Sequence, residues 1–333
     1  MFLKRSLVAL AVLLLGLAQV AAAQVYSTTD PLAHTFSIVA RDPATGDMAV
    51  AVQSHWFSVG TSVSWGEAGV GVVATQSFTN KSFGLRGLAL LKSGKSAQQA
   101  LDELLANDEG RDVRQVAILD NQGRVAVHTG KKCVDMAGHI AGKEFSVQAN
   151  MMLNDKVWPA MAKAYEQNAS LPLAERVLAA LDAAQAAGGD IRGRQSAALL
   201  VVRGKATEGP WADRLVDLRV DDNAAPLTEL RRLLKLHRAY EHMNAGDLAV
   251  EKNDMPKAIQ EYQAAEKMFP NNLEMKYWHA ITLANKQQVP AALALLRPIF
   301  KEEPNWRILT ERLPKVGLLT VSDAELKQIL SLK

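Results

Sequence analysis

HTFSIVARDPATGDMAVAVQS, residues 34–54, places two runs of small and β-branched apolar residues, 36–41 and 48–53, on either side of the tetrapeptide PATG. Pro43 pre-sets the φ of a turn and Gly46 tolerates the positive φ that closes one, so the stretch reads as a β-hairpin. Thr35 then stands at the mouth of the first strand. A hydroxyl in that place is either an ordinary strand residue or a nucleophile, and the two readings describe different molecules.

Upstream of the hairpin the chain carries Lys4 and Arg5, an apolar run from Leu7, and a small-residue ending, AQVAAA. This is the order of a secretory signal peptide. Residues 1–23 are expected to be removed between Ala23 and Gln24, leaving 24–33 as a linker. The apolar run is short beside the roughly 20 residues of a spanning helix, and no later stretch is apolar enough to span a bilayer. The expected protein is therefore periplasmic or secreted, with no stable membrane insertion after cleavage. The formal charge of +3 falls to +1 without Lys4 and Arg5. A nearly neutral chain gives no electrostatic case for nucleic acid, which calls for a clustered basic face. The single cysteine, Cys133, excludes an internal disulfide framework and reads as a small buried hydrophobe.

The rest of the first half alternates strands and helix pairs. Strands are predicted at 69–75, on both sides of NQG in 114–130, at 145–151, 196–202 and 214–220, and helices at 84–93, 96–107, 156–167 and 172–187. Ser96 is a natural N-cap for the second helix. Strands at both ends with helix pairs between predict two stacked sheets covered by helices, an α+β sandwich in place of a doubly wound parallel sheet. Beyond about residue 225 the chain reads as continuous helix with an internal period of 34 residues. Gly246 and Ala280, Ala258 and Ala292, Tyr262 and Leu296, Ala265 and Ile299, and Pro270 and Pro304 are so spaced. That is the tetratricopeptide signature. It divides the chain into a domain over 34–238, two repeats over 239–304 and a helical cap over 305–333. Pro298, inside the second repeat's second helix, is expected to bend or shorten it. Such a tail would offer a concave surface to a protein partner, or would pack on the first domain or on a second copy in a homodimer.

Motifs for metal or nucleotide chemistry are missing: there is no HExxH, CxxC, GxSxG or Walker loop, and no cofactor is expected. A threonine at the start of a chain needs none of these. Its own α-amino group, with a pKa of roughly 7.7–8.0, can serve as the base for its hydroxyl. Thr35 qualifies only if a cut frees its nitrogen.

The segment HTFSIVARDPATGDMAVAVQSHWFSVG (34–60) resembles the opening of a bacterial family of unknown function assigned to the N-terminal nucleophile (Ntn) hydrolase superfamily. QSFTNKSFGLRGLALLKSG (76–94), FSVQANMM (145–152), GGDIRGRQSAALLVVR (188–203) and the run into LRVDDNAAPLTELRRLL (218–234) resemble its later blocks, in order. The resemblance implies an αββα four-layer sandwich and amide cleavage by an N-terminal Thr, Ser or Cys. Carried onto this chain it implies Thr35 as nucleophile, Asp42 near the strand end, Ser54 as a group orienting the amine, and Asn150 as an oxyanion donor. Asp190, Arg192 and Arg194 would hold a substrate carboxylate, since arginine grips carboxylates bidentately.

Each residue also has a structural reading. Asp42 before Pro43 forms turns, Ser54 and Asn150 satisfy buried backbone, and the loop 188–195 can be an ion-paired support for the strand after it. His55, Trp56, Phe57 and Trp65 could line a ligand wall or fill core. The leading expectation is a hydrolase acting on a small amide or peptide-like ligand. The alternative is a non-catalytic envelope protein that binds a ligand, such as a cell-wall peptide, or a partner.

Overall fold

The structure is a computed structural model that describes residues 32–332. The expected signal peptide and linker residues 24–31 lie outside the described residues. The chain divides into two compact units, one ending at Leu230 and the other running from Arg231.

The first unit runs in order β1 (Leu32–Ala33), β2 (Thr35–Arg41), β3 (Met48–Ser54), a short helix α1 (Gly60–Val63), β4 (Ser64–Glu67), β5 (Gly71–Phe78), α2 (Ser82–Lys92) and α3 (Ala97–Ala106). It continues with β6 (Arg114–Asp120), β7 (Val125–Thr129), β8 (Gly138–Gly142), β9 (Phe145–Ala149), α4 (Val157–Gln167), α5 (Leu173–Ala186), β10 (Ser196–Val202) and β11 (Arg214–Val220). One sheet is ordered β1-β5-β6-β7 with β4 also on β5; the other is β11-β10-β3-β2-β9-β8. The opening hairpin forms the middle of the second sheet, registered by Thr35↔Ser54 at its mouth and Arg41↔Met48 at its turn.

Successive side chains on a strand point to opposite faces. Val39, Val50, Val52, Ala198 and Leu200 therefore face the first sheet, where they meet Val72, Ala74, Ala117 and Leu119. Phe36 and Ile38 point the other way and are fully buried on the face that α4 and α5 cover. On the outside of the first sheet, α2 and α3 pack Phe83, Leu88, Leu101 and Leu104 onto Val73, Val116 and Ile118. The layers run helix, sheet, sheet, helix, the αββα sandwich that the sequence led us to expect. Both faces of the central strands are buried, which is why β2 and β3 lack clean alternation.

Three strands were not anticipated. Leu32–Ala33 is a strand and not linker, and β4 and β8 are short and glycine-bearing. The strand predicted at 69–75 is Gly71–Phe78 because Gly69, with φ +71°, belongs to the preceding turn.

In the second unit α6 (Pro226–Glu251), whose first residues belong to the sandwich unit, leads into α7 (Met255–Met268), α8 (Leu273–Asn285), α9 (Val289–Glu302), α10 (Asn305–Arg312) and α11 (Asp323–Leu330). Asp254 and Asn272 cap α7 and α8 through their side chains. Ala239, Met243, Ala258, Tyr262, Ala265 and Met275 form one core, and Tyr277, Ala280, Ala292, Leu296 and Phe300 belong to the next. A Cβ on Gly246 would lie 2.5 Å from the Tyr262 ring, so that helix crossing requires glycine. Several contacts fall near one 34-residue step: Tyr240 Oη donates to Glu274 Oε2 at 2.6 Å, and Tyr277 Oη meets Thr310 Oγ1 at 2.9 Å. Pro298 does not shorten α9, which runs through it to Glu302. Among the described residues no helix is long and apolar enough to cross a membrane.

Candidate active site

The chain changes sheets across one residue. Leu32 and Ala33 pair with Phe78 and Ser77 of β5 in the first sheet, whereas Thr35 opens β2 in the second. His34 bridges the two. Thr35 is fully buried, and its Oγ1 has no hydrogen-bond partner among the described residues. A buried hydroxyl without a partner is costly, about 1–3 kcal/mol, and asks for an explanation.

The carbonyl immediately before that hydroxyl is held from two sides. Ser54 Oγ donates to His34 O at 2.6 Å, and Arg192 Nη2 donates to it at 2.8 Å. Ser54 is there because the hairpin register sets it opposite Thr35, and Ser196 continues the row on β10. Arg192 is there because Asp190 grips it. Arg192 Nε and Nη2 donate to Asp190 Oδ1 and Oδ2 at 3.0 and 2.7 Å, and the backbone N–H of His55 donates to Oδ2 at 3.1 Å. The Asp190 side chain is fully buried while that of Arg192 keeps 27% of its surface. A paired guanidinium of fixed direction therefore meets a carbonyl oxygen, the arrangement that stabilises negative charge developing there.

Asn150 follows β9, and its backbone N–H donates to Thr35 O at 3.1 Å. Its side chain does not play the expected oxyanion role. Nδ2 donates to Gln115 Oε1 at 2.9 Å, and Oδ1 meets His34 Nδ1 at 2.8 Å. Gln115 is itself fixed, because its Nε2 donates to Ala149 O at 2.9 Å and its Oε1 also accepts from Gln76 Nε2 at 2.6 Å. That order of donors makes Asn150 Oδ1 an acceptor and puts the proton of the imidazole on Nδ1. Burial pushes the His34 pKa below its ordinary value; the Asn150 hydrogen bond opposes the shift and the nearby Arg192 charge adds to it. The ring stands edge-on to Phe78, centroids 5.5 Å apart.

Several residues singled out in the sequence are not brought to this place. Asp42 lies beyond the far end of β2, about 20 Å from Thr35 at ~3.3 Å per residue. There it closes the turn, its Oδ1 accepting from the Ala44 N–H at 2.8 Å. Arg194 is exposed and lines a shallow 370 Å³ cavity with Asp182 and Gln185. Trp65 packs with the core under α2 and α3, and Phe57 is exposed. The sequence reading missed His34, Gln76 and Gln115. The available signal was three glutamines, Gln76, Gln115 and Gln148, each in a strand whose other residues are mostly apolar. All three are fully buried between the sheets: Ser37 joins Gln76 to Gln148, and Gln76 Nε2 donates to Gln115 Oε1. Among the described residues no three His, Cys, Asp or Glu side chains gather as metal ligands.

Residues 35–230 match a family described as of unknown function, DUF1028. The chain belongs to DUF1028. A DUF1028 protein from Silicibacter pomeroyi, known from its crystal structure, is 31% identical over 61% of this chain and 85% of its own, with a TM-score of 0.55. Anbu, an ancestral β-subunit from Yersinia bercovieri, aligns over 60% of this chain and 92% of its own at 11% identity and a TM-score of 0.31, a likeness too slight to bear on chemistry. No curated protein matches the sequence. The DUF1028 match opens at Thr35.

Proposed function

We propose that this DUF1028 sandwich is the uncut form of an Ntn-type amidohydrolase that cleaves its own His34–Thr35 bond after export. The reading rests on one observation: two donors, one of them cationic, hold the carbonyl directly preceding an unpartnered threonine hydroxyl. In the self-cleavage step Thr35 Oγ1 bonds to the His34 carbonyl carbon, the C–N bond breaks, and the freed nitrogen takes the hydroxyl proton. Ser54 and Arg192 carry the charge on the carbonyl oxygen meanwhile. Water then hydrolyses the ester, leaving a His34 carboxylate and a free Thr35 amine. The same amine next serves as base for attack on a small amide or peptide-like substrate. The helical unit would recruit a protein partner or the substrate.

Intact mass of the purified protein tests this. Wild type is expected to begin at Thr35, and Thr35→Ala to keep its upstream residues. Arg192→Ala is expected to slow the cut by about 10²–10³-fold, the effect of losing one oxyanion donor. A folded wild-type chain that keeps residues 24–34 overturns the proposal. It would favour a non-catalytic binding protein, a reading supported by the complete burial of Thr35.

A further inference from the structure

Residues 32–34 occupy a position that the proposed chemistry gives a second use. If Thr35 first attacks the His34 carbonyl, then His34 is the first acyl group the site handles. Any later acyl group that reaches the same Oγ1, with its oxygen on the same Ser54 and Arg192 donors, must set its own substituents where those of His34 now lie. The structure displays those surroundings in full.

The backbone before His34 runs antiparallel to β5, with Leu32 opposite Phe78 and Ala33 opposite Ser77. On that edge β4 pairs only from Gly71 to Ala74. Loss of the leader strand therefore opens the β5 edge at Ser77–Phe78, and an open edge binds extended peptides by strand addition. The next side chain is read as well as covered. Asn150 Oδ1 stands 2.8 Å from the imidazole Nδ1, and the Phe78 ring flanks it. Asn150 cannot turn its amide to suit another group, because Gln115 already takes its Nδ2. The pocket thus presents a fixed acceptor. It suits a neutral side chain carrying a donor at imidazole reach, leaves an alanine's place unpaired, and opposes a carboxylate oxygen to oxygen.

We propose that the β5 edge at Ser77–Phe78, together with Asn150, is the acyl-side subsite of the mature enzyme, and that it takes an extended peptide whose scissile carbonyl belongs to histidine. This rests on the proposed function, and names its substrate class. On acylation the histidine carbonyl carbon bonds to Thr35 Oγ1, the amine leaves with the hydroxyl proton, and water releases the peptide acid.

The test uses the full exported chain, its cut verified by intact mass, with Leu-Ala-His, Leu-Ala-Ala and Leu-Ala-Asp p-nitroanilides. The expected kcat/KM order is His above Ala above Asp, with His over Ala by about 10–100-fold, the effect of one buried acceptor left unpaired. Asn150→Ala is expected to bring the His-to-Ala ratio close to one, a ratio that cancels general damage to the variant. A cut chain that hydrolyses Ala as fast as His, or neither, overturns the subsite and leaves self-cleavage standing. The same holds for an Asn150→Ala variant that keeps the ratio. A chain that stays uncut overturns both proposals.

Discussion

His34 carries a neutral imidazole in a place where protonation is costly, and this fixes a pH dependence. Its folded pKa lies below the ordinary 6.5, chiefly through burial. Between that lowered value and about 6.5 the unfolded chain binds more protons than the folded one, so stability falls as pH drops through this window. Above 6.5 the effect vanishes. In uncut Thr35→Ala protein, the melting temperature is expected to decrease on acidification from pH 7.5 to 5, and Thr35→Ala/His34→Gln to lose less. Equal losses in the two proteins would remove His34 as the cause. Arg192→Lys is a second test at this site, measured by the rate of the mass change. Lysine keeps the charge but cannot grip Asp190 through two nitrogens, so the cut is expected to slow and not merely to shift with salt. Cys133 is buried, and burial raises its thiol pKa, so it is expected to resist alkylation at pH 8 until the protein is denatured.

Among the helices of the sandwich, α3 has a start that the sequence specifies fully. Ser96 accepts from the Gln99 N–H and Gln99 reaches back to the Ser96 N–H, a reciprocal capping box. Ser96→Ala is expected to cost ~1 kcal/mol in urea denaturation without moving the rate of the cut. The capping signal, the PATG turn and the apolar runs made the hairpin, the helix pairs and the layered architecture legible in advance. The elements that escaped have weak local signals. The β8 sequence, GHIAG, is small and glycine-flanked, and β4 is four residues long; both are strands because a neighbouring strand offers its edge. The site was legible in part. Thr35, Ser54, Asp190 and Arg192 belong to strand ends and a polar loop that do converge. Asp42 was misplaced because one strand length separates it from Thr35, and strand ends that are close in sequence can be opposite ends of a sheet. Asn150 does meet Thr35, through its backbone N–H, but its amide is directed at His34 and Gln115.

At the level of the molecule, two units with separate cores predict separable effects. Tyr277 is fully buried in the helical unit, stacked near Trp306 at 4.5 Å and hydrogen-bonded to Thr310. Tyr277→Ala is expected to weaken that unit by roughly 3–5 kcal/mol, read by denaturant melts of the full chain, while the sandwich still cuts at Thr35. Loss of the cut in this variant would mean that the helical unit supports the chemistry. The two donors on the His34 oxygen are 20 and 158 residues away along the chain. On the proposed reading, a chain that ends before the loop of Arg192 holds the bond without its cationic donor. Scission at residue 34 would act as a certificate that the sandwich is assembled, issued by the fold without an outside protease.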